Sequence, residues 1–238
     1  MTSSPALVWF RLDLRRNDNP ALYHAYESGR PIIPLYILDK DEQMSDWPMG
    51  AASKLWLHHS LQSLNDSLNS NLVLRTGSAA DIIPAIAAEY DVQDIYWNRC
   101  YEPWRIKRDK DLKATLKDDG RAVHSYNAGL MFEPWDTRKD DGTPYRVFTP
   151  FYKKACVERY GAPAEPLPAP TRLSYVSDID RPAIDTLDLL PDIPWHKQIE
   201  PHWTPGEDGA QKRLDDFLEN GLKQYKTGRN HPDRTNVS

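Results

Sequence analysis

A group of charged side chains follows directly after an apolar segment near the start of the chain. The segment 6–10 (ALVWF) is typical of a buried strand, and the eight residues after it carry five charges: Arg11, Asp13, Arg15, Arg16 and Asp18. Open α/β sheets bind ligands beyond the carboxyl ends of their strands, so these side chains could contact a ligand or another domain. Charges in a partly buried loop are also commonly paired with one another. The residues alone leave both interpretations open.

The sequence lacks the common motifs for dinucleotide, phosphate and zinc binding. No GxGxxG follows the first strand and no GxxxxGK[ST] occurs in the chain, so neither a dinucleotide fingerprint nor a P-loop is indicated. The two cysteines, Cys100 and Cys156, form no CxxC pair and no cluster with histidines. This spacing argues against a disulfide scaffold and against a structural zinc site. We expect no metal.

Composition indicates an ordinary intracellular protein. The formal net charge is -5 and the pI is near 5.8, so no global basic surface points to nucleic acid, although a local basic site is compatible with these values. The N-terminus lacks the pattern of a signal peptide, and no apolar run reaches the roughly 18 residues that a membrane helix needs. We therefore expect a cytoplasmic monomer without a membrane partner.

Strand and helix patterns alternate through the first half of the chain. Between the strands, Asn19 and Pro20 are suited to begin a helix, and further helices are predicted at 50–68, from Ser78, and at 102–117. Such alternation predicts a parallel sheet with helices on both faces. The expected fold is α/β, with a Rossmann-like five-stranded parallel sheet in the order 3-2-1-4-5. Its strands are predicted near 6–10, 32–38, 72–75, 94–98 and 122–126.

The remaining sequence is less regular. Thr149 is suited to cap a short helix that begins at Pro150 and runs to about residue 160. Residues 162–206 are rich in proline, which predicts an extended connector. Pro205-Gly206 precedes one amphipathic helix that ends near Tyr225. Its predicted apolar face consists of Ala210, Leu214, Phe217, Leu218 and Leu222.

Four segments resemble consecutive landmarks of the photolyase/cryptochrome family. They are LVWFRLDLRRNDNPAL, WPMGAASKLWLHHSL, GTPYRVFTPFYKKAC and LKQYKTGRNHPDRTNVS. Their order and spacing are most similar to a bacterial class I cyclobutane-pyrimidine-dimer photolyase. The resemblance implies an α/β antenna domain at 1–130, a domain-edge loop and short helix at 131–161, an inter-domain connector at 162–206, and the start of a helical FAD-binding domain at 207–238. The resemblance also implies that the charged cluster lies at the boundary between domains and has a structural role.

The resemblance implies a light-driven activity. Reduced FAD, excited directly or through an antenna pigment, donates an electron to a pyrimidine dimer in DNA, and the dimer splits and returns the electron. The family's electron-relay and dimer-pocket residues match no position in this chain, so we expect no catalytic residue in this portion and no activity from it alone.

Three positions are implied to contact FAD by resemblance: Tyr225, Val237 and Ser238. Val237 stands where the family usually has threonine. Arg229 matches an arginine that contacts DNA phosphate. Without the resemblance, Tyr225 is equally a helix-end aromatic residue that covers the core, and Arg229 is a solvated charge.

The family's antenna pigment is methenyltetrahydrofolate or an 8-hydroxy-deazaflavin. The best-known folate site of the family contains a carboxylate side chain at the position where this chain has Trp104-Arg105. Trp47, Met49 and Trp104 are candidates to line an antenna cleft at the strand ends, and packing is the alternative role for each.

Two other functions stay open. A cryptochrome-like photoreceptor would share the antenna domain, and no feature of this sequence separates it from a photolyase or distinguishes cyclobutane-dimer from (6-4) repair. A stand-alone nucleotide-binding α/β module would not need the C-terminal helix that ends near Tyr225.

Overall fold

A parallel sheet organises the first half of the chain. The computed structural model describes residues 4–39, 48–159, 161–162, 164–231 and 233–234. Within these ranges the sheet has five strands in the order β3-β2-β1-β4-β5, which confirms the predicted order. The pairs β1 with β4, β2 with β3, and β4 with β5 are all parallel. The strands β1 to β5 are Ala6–Phe10, Ile32–Asp39, Val73–Gly77, Asp94–Asn98 and Ala122–Tyr126.

In the described part of the chain, four helices connect these strands. They are α1 (Pro20–Glu27), α2 (Ala51–Ser67), α3 (Ala79–Glu89) and α4 (Pro103–Asp118). Asn19 caps α1 as predicted, because its side-chain oxygen accepts a hydrogen bond from the Leu22 N–H at 3.1 Å. Each helix begins within two residues of its predicted start.

The core follows from the apolar strands. Every residue of β1 and β2 is buried, as expected of parallel strands that are covered on both faces. Trp9 of β1 contacts Trp97 of β4 edge to face, with ring centroids 5.9 Å apart. Burial of each leucine, isoleucine or phenylalanine side chain of this core, such as Leu7, Phe10 and Ile95, stabilises the fold by about 1.5–3 kcal/mol.

The chain forms two compact units. The first contains the described residues of Met1–Asp13, Asn17–Ile33 and Ile83–Val176; the second contains those of Leu14–Arg16, Pro34–Ile82 and Ser177–Ser238. The predicted division into an antenna domain, an edge segment, a connector and the start of a helical domain stays a prediction. No helix in the described part of the chain is long and apolar enough to cross a bilayer.

The short helix after β5 begins earlier than predicted. Helix α5 covers Phe148–Pro150 and continues as a π-helix over Phe151–Glu158. Val147, not Thr149, is the N-cap, because the Val147 carbonyl accepts the Phe151 N–H at 3.3 Å and closes a first turn that includes Pro150. Proline is tolerated there since its missing N–H has no partner in a first turn.

The predicted connector lacks long regular elements. In its described residues, 162 and 164–206, the helical elements are 3₁₀ turns, and one β-bridge joins Tyr175 to Ile32. Proline cannot donate to a ladder or to a helix interior, which accounts for this pattern. The turns are Ile184–Leu187, Pro194–Gln198 and Glu200–His202.

The C-terminal helix is segmented rather than continuous, which corrects the prediction of one helix up to Tyr225. Helix α6 spans Glu207–Asp216, a π turn follows at Phe217–Gly221, a 3₁₀ turn at Leu222–Gln224, and α7 at Tyr225–Gly228. Helix α6 begins after Gly206 because the φ of Gly206 is +102°, outside the helical region. Three leucines of the predicted apolar face are about half exposed: Leu214, Leu218 and Leu222.

Candidate functional site

A buried polar network lies at the carboxyl ends of β1 and β4. The Asn98 side chain donates to the Asp13 carboxylate and to the Asn19 side-chain oxygen, and its own oxygen accepts the Ala21 N–H at 3.1 Å. Asp13 also accepts the Arg11 N–H at 2.8 Å. The network satisfies polar groups that would otherwise be buried without partners.

The Arg11 guanidinium completes this network with an ion pair. It binds the Asp109 carboxylate of α4 at 2.5 Å and lies 4.7 Å from the centroid of the Trp9 ring. Arg108 of α4 lies 4.8 Å from the same ring and also binds Asp109. Two arginines therefore contact one buried indole and share one carboxylate, an arrangement that combines cation–π and charge pairing.

Other charged residues of the opening cluster make hydrogen bonds to distant segments of the chain. Asp18 accepts the Leu167 N–H at 3.2 Å, and the Asp18 N–H donates to the Leu167 carbonyl at 2.9 Å. The Arg16 N–H donates to Glu207 at 2.8 Å, while Arg15 is half-buried. Of the two interpretations of the cluster, these contacts favour structural pairing over ligand binding.

The predicted antenna residues lie in different parts of the chain. Trp104, in the first turn of α4 in the first unit, has Arg105 at 4.9 Å and Arg108 at 5.4 Å from its ring centroid. Met49 is half-buried just before α2, in the second unit. Trp47 lies outside the described residues. A cleft shared by these three side chains therefore stays a prediction.

The predicted flavin and DNA contacts lie at the C-terminal end of the second unit. Tyr225 is 39% exposed, and its ring contacts Phe217 edge to face at 5.7 Å. The Arg229 guanidinium lies 5.4 Å from the Tyr225 ring centroid, so the structure brings these two predicted residues together. Val237 and Ser238 lie outside the described residues. An exposed aromatic ring can contact a flavin, and the adjacent cation can bind a phosphate group, so both assignments stay predictions.

Burial and hydrogen bonding shift the pKa of two groups after β4. Burial raises the pKa of the Cys100 thiol, which keeps it protonated and unreactive. Burial, together with a hydrogen bond to Glu133, raises the pKa of Tyr101 to about 12. The Tyr101 hydroxyl donates to Glu133 at 2.9 Å, and Arg99 binds the same carboxylate.

Sequence reasoning missed several members of the strand-end network. Asn98 was part of a predicted strand but was not singled out, although its position at the carboxyl end of the strand beside β1 was a usable signal. Asp109 and Arg108 gave no such signal, because they lie on a helix rich in charges of both signs. Across the described ranges, no group of three or more His, Cys, Asp or Glu residues is arranged to hold a metal ion.

Comparisons with known proteins agree with the family resemblance seen in the sequence. Residues 6–171 match the family model described as DNA photolyase. The chain is 40% identical over 237 residues to the deoxyribodipyrimidine photo-lyase of Agrobacterium fabrum, covering 98% of this chain and 48% of that protein. It is 31% identical to Cryptochrome-1 of Arabidopsis thaliana, covering 98% of this chain and 34% of that protein.

A solved structure shows the same similarity. The crystal structure of a bacterial class III photolyase from Agrobacterium tumefaciens superposes with a TM-score of 0.90 at 39% identity, covering 99% of this chain and 48% of that one. The chain thus spans about half the length, or less, of these three relatives.

Proposed function

Because this chain belongs to the DNA photolyase family, we propose that it forms the N-terminal, antenna-domain portion of a deoxyribodipyrimidine photolyase. The proposed reaction is the light-driven, FAD-dependent repair of cyclobutane pyrimidine dimers in DNA. The observation that carries this proposal is the 40% identity to a photolyase across 98% of the chain. The family class stays a prediction, since the motifs resemble class I enzymes whereas the similar solved structure is a class III photolyase.

The role of FAD is to supply the electron that splits the dimer. The proposed contribution of this chain is to hold the cofactor rather than to react. The Tyr225 phenol, exposed at the end of the C-terminal segment, would contact the flavin cofactor, with Val237 and Ser238 beside it by resemblance. No residue of this portion is assigned a catalytic role.

Binding of dimer-containing DNA requires local positive charge, since the net charge of the chain is -5. Arg229 is the proposed phosphate contact. Its position over the Tyr225 ring would keep the guanidinium near the cofactor end of the unit. We further propose a cytoplasmic monomer whose antenna pigment is methenyltetrahydrofolate or an 8-hydroxy-deazaflavin.

A cryptochrome-like photoreceptor is the second candidate, supported by the 31% identity to Cryptochrome-1 of Arabidopsis thaliana. A chimera tests whether this chain can serve as the N-terminal portion of a repair photolyase. This chain replaces the matching segment of the Agrobacterium fabrum photolyase, and dimer loss in DNA is followed under blue light and in darkness. We expect light-dependent repair. A folded, FAD-loaded chimera that leaves dimers intact would contradict the repair proposal and favour the photoreceptor.

A further inference from the structure

A cluster of positive charge lies in the first unit, where α4 contacts the end of β5. The Lys113 ammonium of α4 donates to the Ser125 hydroxyl oxygen of β5 at 3.3 Å. Arg99, the residue that follows β4, donates to the same oxygen at 3.4 Å. The Arg99 N–H also donates to the Tyr126 carbonyl at 2.7 Å, which holds its backbone beside the end of β5. Two cationic side chains therefore converge on one hydroxyl.

The lysines of this cluster have no carboxylate partner. Lys117 follows Lys113 by one helical turn, so both lie on the same face of α4. Burial lowers the pKa of Lys113, and the charges of Lys117 and Arg99 lower it further. Arg99 is bound to Glu133, whereas neither lysine forms an ion pair within the described part of the chain. A bound anion would relieve the repulsion among these cations.

The Ser125 hydroxyl adds a neutral donor to the cluster. Its oxygen accepts from Lys113 and Arg99, and its hydrogen has no acceptor among the residues that the structure describes. Ser125 and Lys113 are half-buried, and Lys117 is exposed, so solvent reaches this position. One hydroxyl and two ammonium groups can donate together to a small anion that has several oxygens.

From this geometry we propose that Ser125, Lys113 and Lys117 bind a phosphate group. A phosphate ester carries a charge of about −1.5 to −2 at pH 7 and has three acceptor oxygens, which match two lysines and one hydroxyl. Two lysines suit one phosphate group better than the many phosphates of a nucleic-acid strand. This binding does not rest on the proposed function.

The phosphate group has two possible carriers, inorganic phosphate and a nucleotide. The second is suggested by an aromatic side chain beside the cluster. The Arg99 guanidinium lies 5.7 Å from the centroid of the Trp135 ring, and Trp135 is 55% exposed. An exposed indole can stack on a base, which would strengthen binding of a nucleotide relative to inorganic phosphate.

Thermal denaturation of the 238-residue chain tests the site, because a ligand that binds the folded state raises the midpoint. Inorganic phosphate is titrated against sodium chloride at equal ionic strength. We expect a saturable rise of the midpoint with phosphate and no such rise with chloride. Equal midpoints in the two salts would overturn the proposal. Phosphate also stabilises proteins through exclusion from their surfaces, so variants must locate the effect.

Loss of one donor should weaken binding. We expect Lys113→Gln and Ser125→Ala each to raise the phosphate concentration needed for half of the midpoint shift by about tenfold. Lys107→Gln is the matched control, because it removes the same charge from α4 but Lys107 is paired with Asp111 at 2.8 Å. A phosphate response that is the same in all three variants and in the wild type would contradict the site.

A gain of stability separates a lost site from a lost fold. Ser125→Asp places a carboxylate among the cations, where phosphate would otherwise bind. We expect this variant to unfold at a higher midpoint than the wild type without phosphate, and to respond to phosphate no more than to chloride. A lower midpoint that still rises with phosphate as in the wild type would refute the proposal.

Adenosine monophosphate and adenosine identify the carrier in the same assay. Tighter binding of adenosine monophosphate than of phosphate, with the difference lost in Trp135→Ala, would support a nucleotide. Equal affinities for adenosine monophosphate and phosphate would support inorganic phosphate. Adenosine that binds as tightly as adenosine monophosphate would contradict recognition of a phosphate group. Repair by the chimera is a separate readout, so either proposal can fail without the other.

Discussion

Asn98 is the residue on which the buried strand-end network depends. Its amide bridges the Asp13 carboxylate, the Asn19 side chain and the Ala21 N–H, and it is only 3% exposed. No other side chain of the described network contacts all three groups. Asn19 is also the cap of α1, so Asn98 connects the end of β4 to the start of that helix.

We predict that Asn98→Ala lowers the free energy of unfolding by about 3 kcal/mol, because it leaves buried polar groups unpaired at about 1–3 kcal/mol each. Chemical denaturation measures the change. Asn220→Ala is the control, since Asn220 makes one exposed hydrogen bond to Asp216 and should change stability by about 0.5 kcal/mol or less. Equal effects would show that the network contributes little.

The raised pKa of Tyr101 predicts that the stability of the fold depends on pH in the alkaline range. Its pKa rises from an ordinary value near 10 to about 12 in the folded state. The folded protein therefore holds this proton where the unfolded chain has lost it. The resulting stability is fully present below pH 10 and decreases as the pH rises from about 10 to about 12.

Tyr101→Phe should therefore reduce the loss of stability between about pH 10 and 12, by no more than about 1 kcal/mol because the site is partly exposed and screened. Denaturation at several pH values measures this slope. Tyr152→Phe, at an exposed position, is the control. Identical slopes for Tyr101→Phe and the wild type would contradict the shifted pKa.

At the scale of elements, Gly206 determines where α6 begins. Its φ of +102° is rarely adopted by other residues, and an added Cβ would lie 2.2 Å from the Ser63 hydroxyl oxygen of α2. The side chain is excluded both by the backbone conformation and by the packing of the connector on α2.

We expect Gly206→Ala to destabilise the protein by about 1–3 kcal/mol through backbone strain and to speed amide exchange in α6. Gly129→Ala is the matched control, because a Cβ at Gly129 meets no atom within 4 Å and φ there is not positive. If amide exchange in α6 is the same in Gly206→Ala and in the wild type, the start of the helix accepts a side chain at position 206 without strain, and the prediction is wrong.

Elements with a strong local signal were predictable from the sequence. The segments 6–10, 94–98 and 122–126 are strands with the predicted bounds, because their apolar or β-branched residues are bounded by turn signals. Strand β3 extends to Gly77, beyond its predicted end at Arg75, since pairing of Asp39 with Gly77 sets its length. Local hydrophobicity does not contain that information.

Features that depend on tertiary contacts were not predictable. The segmentation of the last helix occurs where its apolar residues remain exposed. The placement of Arg108 beside Trp9 requires two elements about a hundred residues apart in sequence to meet. Likewise, the bridge from His59 to Glu200 joins α2 to the connector. His59 belongs to a segment of the family resemblance, but Glu200 does not.

At the scale of the whole molecule, few of the residues that the structure describes are predicted to contact FAD. Among the residues that the structure describes, Tyr225 is the predicted FAD contact, and its ring already contacts Phe217. Two or three such contacts contribute only a few kcal/mol, whereas association costs about 4–15 kcal/mol.

We therefore predict that the 238-residue chain alone binds FAD negligibly and repairs no dimers. Purified chain incubated with FAD and desalted should show no flavin absorbance, and dimer-containing DNA should stay unchanged under blue light. The chimera with the Agrobacterium fabrum photolyase is the positive control for both assays. Stoichiometric FAD after desalting, or light-dependent dimer loss with the chain alone, would show that this portion holds more of the cofactor site than the predicted contacts provide.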